Sequence, residues 1–138
     1  MIKLIIALSI CVVLLLGCSK EEFMPYLPDG DSHQRSYQVI SAEAAYAMMN
    51  ESEDFVLLDV RAESEFRQVR IDGAILIPYN ELAVRAADEL SNKDAVILIY
   101  CQSGRRSEIA ARVLVDMGYT NVFDFGGIMD WHFDTVSD

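Results

Sequence analysis

Basic residues are scarce in this chain. Only 11 Lys and Arg stand against 22 Asp and Glu, for a formal net charge of -11 and a pI near 4.4. Nucleic-acid phosphates are held by clustered Lys and Arg, so this balance argues against a nucleic-acid partner. Cysteine is rarer still, with three residues in 138. Cys11 and Cys18 belong to the N-terminal end, which leaves Cys101 as the lone thiol of the body and excludes a disulfide framework. Low-complexity tracts and internal repeats are missing. No apolar run reaches the ~20 residues that cross a membrane comfortably. What is there is a 15.5 kDa chain, 52% hydrophobic and 24% charged, the size of one globular domain with short extensions.

The chain starts Met1-Ile2-Lys3, runs through an apolar stretch over residues 4–16 and reaches Gly17-Cys18-Ser19-Lys20. A basic residue, a short apolar run and a small residue before a break are the parts of a secretory signal peptide. Leu15-Leu16-Gly17-Cys18 resembles the bacterial lipobox. That resemblance implies that residues 1–17 are a signal peptide, with cleavage before Cys18 and lipid attached to its sulfur. Acyl chains contribute ~0.8 kcal/mol per buried CH2, and stable anchoring takes more than one. The expected location is extracytoplasmic, lipid-anchored to a bacterial membrane, on the periplasmic side in a Gram-negative cell. Ser19 after the cysteine would there favour the outer membrane. Residues 18–36 are the expected lipid attachment site and flexible tether, rich in Ser, Lys, Glu, Pro, Asp and Gly, with His33 as a solvated residue.

The domain is expected over residues 37–138. Tyr37-Gln38-Val39-Ile40 is a short strand candidate, and Ser41 is placed as N-cap of a helix carrying Ala42, Ala45, Tyr46 and Met49 on one face. Phe55-Val56-Leu57-Leu58, ending in Asp59-Val60-Arg61, has the uniform apolarity of a buried strand. Ala74-Ile75-Leu76-Ile77 is another, stopped by Pro78. Asn80 is the expected cap of a helix with Leu82, Ala83, Ala86, Ala87 and Leu90 inward. Residues 95–100, AVILIY, form the most apolar strand and run straight into Cys101. A helix with Ala110, Val113, Leu114 and Met117 follows, ended by Gly118; Asn121-Val122-Phe123-Asp124-Phe125 is the last strand. Apolar strands alternating with helices predict an α/β domain with a parallel sheet, whose ligands bind beyond the carboxyl ends of the strands. Asp59 and Cys101 stand at two such ends.

Cys101-Gln102-Ser103-Gly104-Arg105-Arg106-Ser107 links the central strand to a helix. A thiol there faces the positive end of a helix dipole and a turn of backbone N–H groups, which together stabilise a thiolate. Gly104 lets the backbone turn tightly, and Arg105 and Arg106 add positive charge that suits an anion or an anionic persulfide. A lone thiol in an oxidising compartment is kept for its chemistry or as a small buried hydrophobe. The glycine and two arginines directly after it favour chemistry.

With these residues in place, the sequence resembles the rhodanese family from about Tyr37 to Trp131. Leu57-Leu58-Asp59-Val60-Arg61 with Glu65-Phe66, then Ile71-Asp72-Gly73-Ala74 with Ile77-Pro78, then the cysteine loop, then Gly126-Gly127 with Trp131 resemble its motifs in order. The resemblance implies a rhodanese-like α/β fold and a sulfurtransferase. Cys101 would take a sulfane sulfur from thiosulfate or a persulfide, which could be a protein persulfide, and pass it to a thiophilic acceptor. Residues 102–106 would surround the persulfide with backbone N–H groups, Arg106 serving as cationic support, and neither metal nor organic cofactor is implied. Arg70 stands where the family usually has His, which reads as a change at the rim. Asp59 is expected either to hold the loop through backbone hydrogen bonds or to cap the turn after its own strand. Arg61 and Glu65 read as an ion pair or as solvated charges, Trp131 and Phe133 as lid or core, and His132 is given no role.

Two other readings share these features. Cysteine phosphatases of this fold have a longer loop, with five residues between Cys and Arg; here only Gln102, Ser103, Gly104 and Arg105 intervene, which suits one sulfur atom better than a tetrahedral oxyanion. A persulfide carrier or sensor without turnover would use the same fold and loop.

Overall fold

The computed structural model describes residues 36–138. The lipobox-like segment with Cys18, Cys11, most of the expected tether and His33 lie outside the described residues. Five strands, β1 (Gln38–Val39), β2 (Val56–Asp59), β3 (Ile75–Leu76), β4 (Val96–Cys101) and β5 (Asn121–Gly127), form one parallel sheet in the order β1-β5-β4-β2-β3. The helices are α1 (Ala42–Glu51), α2 (Glu63–Gln68), α3 (Leu82–Glu89) and α4 (Arg105–Asp116), followed by a 3-10 turn over Ile128–Asp130. Right-handed crossovers send connections that step toward β3 and those that step back toward β1 to opposite faces of the sheet. Accordingly α1 packs on one face, and α3 and α4 on the other.

The alternation along β4 decides where the cysteine points. Ile97, Ile99 and Cys101 face the layer built by Leu82, Ala86, Ala110, Ala111 and Leu114; Leu98 and Tyr100 face Ala45, Phe125 and Trp131. The Cys101 side chain therefore lies on the α4 side, at the N-terminal end of that helix. α4 ends in a Schellman motif: Gly118 at φ +95° lets its own N–H reach Val115 O and the Tyr119 N–H reach Leu114 O, both at 3.0 Å.

Several expectations need correction. Helix α3 starts after Glu81, in helical conformation with no side-chain cap, so Asn80 caps nothing. Its inner face is Leu82, Ala86 and Leu90; Ala83 and Ala87 are exposed. Helix α2 was not expected at all. It spans six residues and buries none, so it lacks the apolar periodicity by which helices are read. Trp131 proves to be core, packed against Phe125, and Phe133 is half-buried at the edge of that cluster, stacked on Tyr46 with ring centroids 3.8 Å apart. His132 is exposed.

Candidate active site

Cys101 ends β4 paired with Gly127 of β5, after a register shift that releases the chain into the loop. Gly104 adopts φ +97° as N-cap of α4, and this left-handed turn brings its N–H to 3.1 Å from Cys101 Sγ. The Ser107 hydroxyl lies 3.7 Å from Sγ and donates to Gly104 O at 2.9 Å. Burial pushes the thiol pKa up, but hydrogen bonding with the backbone and side chain of Ser107 and with the backbone of Ser103 and Gly104 outweighs it. The net shift is downward, toward a thiolate. The sulfur is nevertheless enclosed, with Cys101 1% exposed.

The loop is pressed onto the end of β5. A Cβ on Gly127 would sit 2.7 Å from Ser103 Cα and overlap Gln102 O, so only glycine fits there. Met129 N–H bonds Gln102 O at 3.3 Å from the other side. Asp124, 5% exposed, accepts the Gly126 N–H at 2.9 Å and so braces the Gly126 turn that faces Ser107. Burial raises the Asp124 pKa, against the opposing effect of the Gly126 hydrogen bond.

The charged groups are arranged differently from expectation. Asp59, fully buried, accepts the Arg61 N–H at 2.9 Å, which caps the turn after its own strand. It does not bond the cysteine loop; its carboxylate takes the Arg61 guanidinium through Nε at 3.0 Å and Nη2 at 2.6 Å. Arg61, 1% exposed, also donates to Val69 O and, through Nη1 at 3.3 Å, to Gln102 Oε1. Asp59 thus reaches the loop only through Arg61. Arg61 and Glu65 are neither paired together nor solvated. Glu65 instead binds Arg106 through both carboxylate oxygens, each at 2.7 Å. These Arg106 hydrogen bonds hold the Glu65 pKa down at about 2. Arg106 is therefore a compensated charge beside the loop, and Arg105 is exposed at the start of α4. Arg70 is turned aside, bonded to Asp138 Oδ1 at 2.8 Å and paired through its backbone with Val136.

Of the residues expected around the sulfur, Gly104 delivers its amide to it at 3.1 Å, while Gln102 anchors the loop to Arg61 and Met129. Ser107 and Gly127 stood in the motifs and Asp124 in the last strand, but none was assigned a role at the sulfur. Signals existed: a hydroxyl two turns of sequence from the thiol, a carboxylate between two phenylalanines in an apolar strand, and a glycine pair at its end.

Comparison with known proteins agrees with this architecture. The family model described as Rhodanese-like domain matches residues 41–134, and the chain belongs to that family. The thiosulfate sulfurtransferase PspE of Escherichia coli is 38% identical over 73 residues, 53% of this chain and 70% of the relative. A sulfurtransferase of Allochromatium vinosum is 33% identical over 93 residues, 67% of this chain and 85% of the relative. A solved E. coli rhodanese with anions superposes with a TM-score of 0.57 at 35% identity, covering 60% of this chain and 98% of that one.

Proposed function

We propose that the chain is a sulfurtransferase that moves a sulfane sulfur from a small donor to a thiophilic acceptor through a persulfide on Cys101. The observation that carries this reading is the Gly104 N–H, which donates to Sγ at 3.1 Å from the start of α4. The Cys101 thiolate attacks the outer sulfur of the donor. The new bond joins Sγ to that sulfur, the donor's S–S bond breaks, and the electron pair leaves on sulfite from thiosulfate or on a thiolate from a persulfide. The amides of Ser103, Gly104 and Ser107 then carry the negative persulfide, as they carry the thiolate. An acceptor nucleophile takes the outer sulfur and Cys101 departs as thiolate, ready for the next donor. The exchange requires a thiolate and a good leaving group, and no metal or organic cofactor enters it.

Mass spectrometry after mixing the purified protein with thiosulfate or an organic persulfide is expected to show one added sulfur on Cys101, removed by cyanide. A Cys101→Ser variant is expected to take up none; parental loading by that variant would overturn the reading. Loading without turnover would instead mark a persulfide carrier, and Cys101-dependent hydrolysis of aryl phosphates a phosphatase. Lipid anchoring through Cys18 on the extracytoplasmic side of a bacterial membrane belongs to the same proposal, supported by the lipobox. Cys18→Ser should release the protein from the membrane fraction, and unaltered retention would refute the anchor.

A further inference from the structure

We propose that Arg70 is a positioning residue for sulfur transfer. With residues 136–138 it clamps the C-terminal end of α2, and through the Val69 carbonyl and Arg61 this clamp fixes Gln102 and the cysteine loop. The inference rests on the sulfur-transfer reading above and adds to it a segment remote from the sulfur. The need for a clamp follows from α2 itself. That helix buries none of its six residues, so no apolar stripe fastens it to the sheet. Yet α2 and the Val69 that ends it supply two of the groups on which the loop leans. Glu65 holds Arg106 through both carboxylate oxygens, and Val69 O accepts Arg61 Nη2 at 2.6 Å. Arg61 Nη1 in turn donates at 3.3 Å to Oε1 of Gln102, the residue directly after Cys101.

What holds Val69 in place comes from the other end of the domain. After Trp131 the chain returns and lays Val136 antiparallel to Arg70. The Arg70 N–H donates to Val136 O at 2.9 Å, the Val136 N–H to Arg70 O at 2.8 Å, and the Asp138 N–H to Arg67 O at 3.1 Å. The Arg70 side chain closes the clamp. Its Nη1 donates to Asp138 Oδ1 at 2.8 Å and to Phe66 O at 3.3 Å, and its guanidinium stands 4.9 Å from the centre of the Phe66 ring. One side chain therefore ties the last turn of α2 to the returning segment. That segment is anchored in its turn by Trp131 Nε1, which donates to Asp134 O at 3.3 Å, and by the stacking of Phe133 on Tyr46. With the clamp open, the Val69 carbonyl leaves Arg61 and the Arg61 guanidinium keeps only Asp59 as a fixed partner. Gln102 then loses its fixed donor, and the loop that sets the Gly104 N–H at 3.1 Å from Sγ loosens.

The test measures the rate of sulfur loading on Cys101 from thiosulfate, and the pH profile of Cys101 alkylation by iodoacetamide, in the parent and a set of variants. Arg70→Ala and Asp138→Ala are each expected to slow loading about three- to fivefold, the scale of a partly exposed ion pair, and to move the alkylation profile to higher pH. Arg70→Lys, which keeps the charge facing Asp138, is expected to recover most of the rate. Arg67→Ala removes an exposed ion pair from the same helix but not from the clamp, and is expected to load at the parental rate. In a Gln102→Ala background, Arg70→Ala is expected to slow loading no further, because the path to the loop is already cut. A parental rate and profile in Arg70→Ala overturn the inference, as does equal slowing by Arg67→Ala. Independent, multiplying effects of Arg70→Ala and Gln102→Ala also overturn it, since they reduce the clamp to a structural tie. Each of these results, with the parent still loading sulfur, leaves the sulfur-transfer reading standing. Absence of loading from every donor refutes that reading, and the alkylation profiles then still decide whether Arg70 acts on the loop.

Discussion

Replacing Gly127 with alanine isolates the placement of the cysteine loop from its chemistry. Gly127 has φ -112°, a conformation any residue adopts, so the substitution introduces no backbone strain. Its whole effect is steric. The added methyl would stand 2.7 Å from Ser103 Cα and 2.9 Å from Gln102 C, both backbone atoms that no rotamer change can move aside. The loop must therefore shift, and overpacking of this kind costs about 1–3 kcal/mol. For a domain of this size each kcal/mol lowers the melting temperature by about 4–8 °C, so the fold should survive with a visibly lower Tm. Activity should suffer more. A displacement of about 1 Å at reacting groups costs on the order of a hundredfold, and the amides of Ser103 and Gly104 are carried by the segment that moves. The assay is the rate of sulfur loading on Cys101, followed by mass spectrometry beside circular dichroism melting. Gly73→Ala is the control: its φ of +79° makes alanine strained, but nothing lies within 4 Å, so it should cost stability without the loss of loading. Parental loading and an unchanged Tm in Gly127→Ala would refute the claim that β5 sets the loop.

Ser107→Ala removes a hydroxyl that helps hold the Cys101 pKa below its ordinary value. Loading should rise with pH through the thiol pKa and level off above it, so this variant should shift the rise to higher pH and slow the reaction several-fold at neutral pH; an unmoved pH profile would show that the amides alone suffice. Asp59→Asn leaves the Arg61 charge buried without its counter-charge and should cost about 3–5 kcal/mol in urea unfolding, whereas a loss under about 1 kcal/mol would show that the pair does not hold this end of the sheet.

The strands and the cysteine loop were legible because the signals are local. AVILIY followed by Cys, Gly and two Arg sets a buried strand against a helix start, and parity along β4 then fixes the side on which the thiol falls. Asn80 misled because a good capping residue stood one position early, and Glu81 took the cap position without side-chain help. Ala83 and Ala87 misled because alanine is equally at home on either face of a helix. Short α2 escaped because its ordering comes from its ends rather than from a buried stripe: the Glu65 side chain accepts the Ala62 N–H, and the Val69 carbonyl receives Arg61.

The charges were the least legible part, and the reason is separation along the chain. Glu65 and Arg106 are 41 residues apart, as are Arg61 and Gln102, so nothing in the local pattern tells which carboxylate meets which guanidinium. Two arginines in a loop read as a positive cradle. Once one is tied to Glu65 in a bidentate pair, the stabilisation of a negative sulfur passes to groups with no formal charge, the amides at the start of α4 and the Ser107 hydroxyl. Such dipoles act over a few ångströms and are oriented by the fold before any donor arrives, so they favour charge on Cys101 itself without attracting anions from solution. Spacing inside the loop thus determines how the sulfur is held, and partners distant in sequence determine which charges remain beside it.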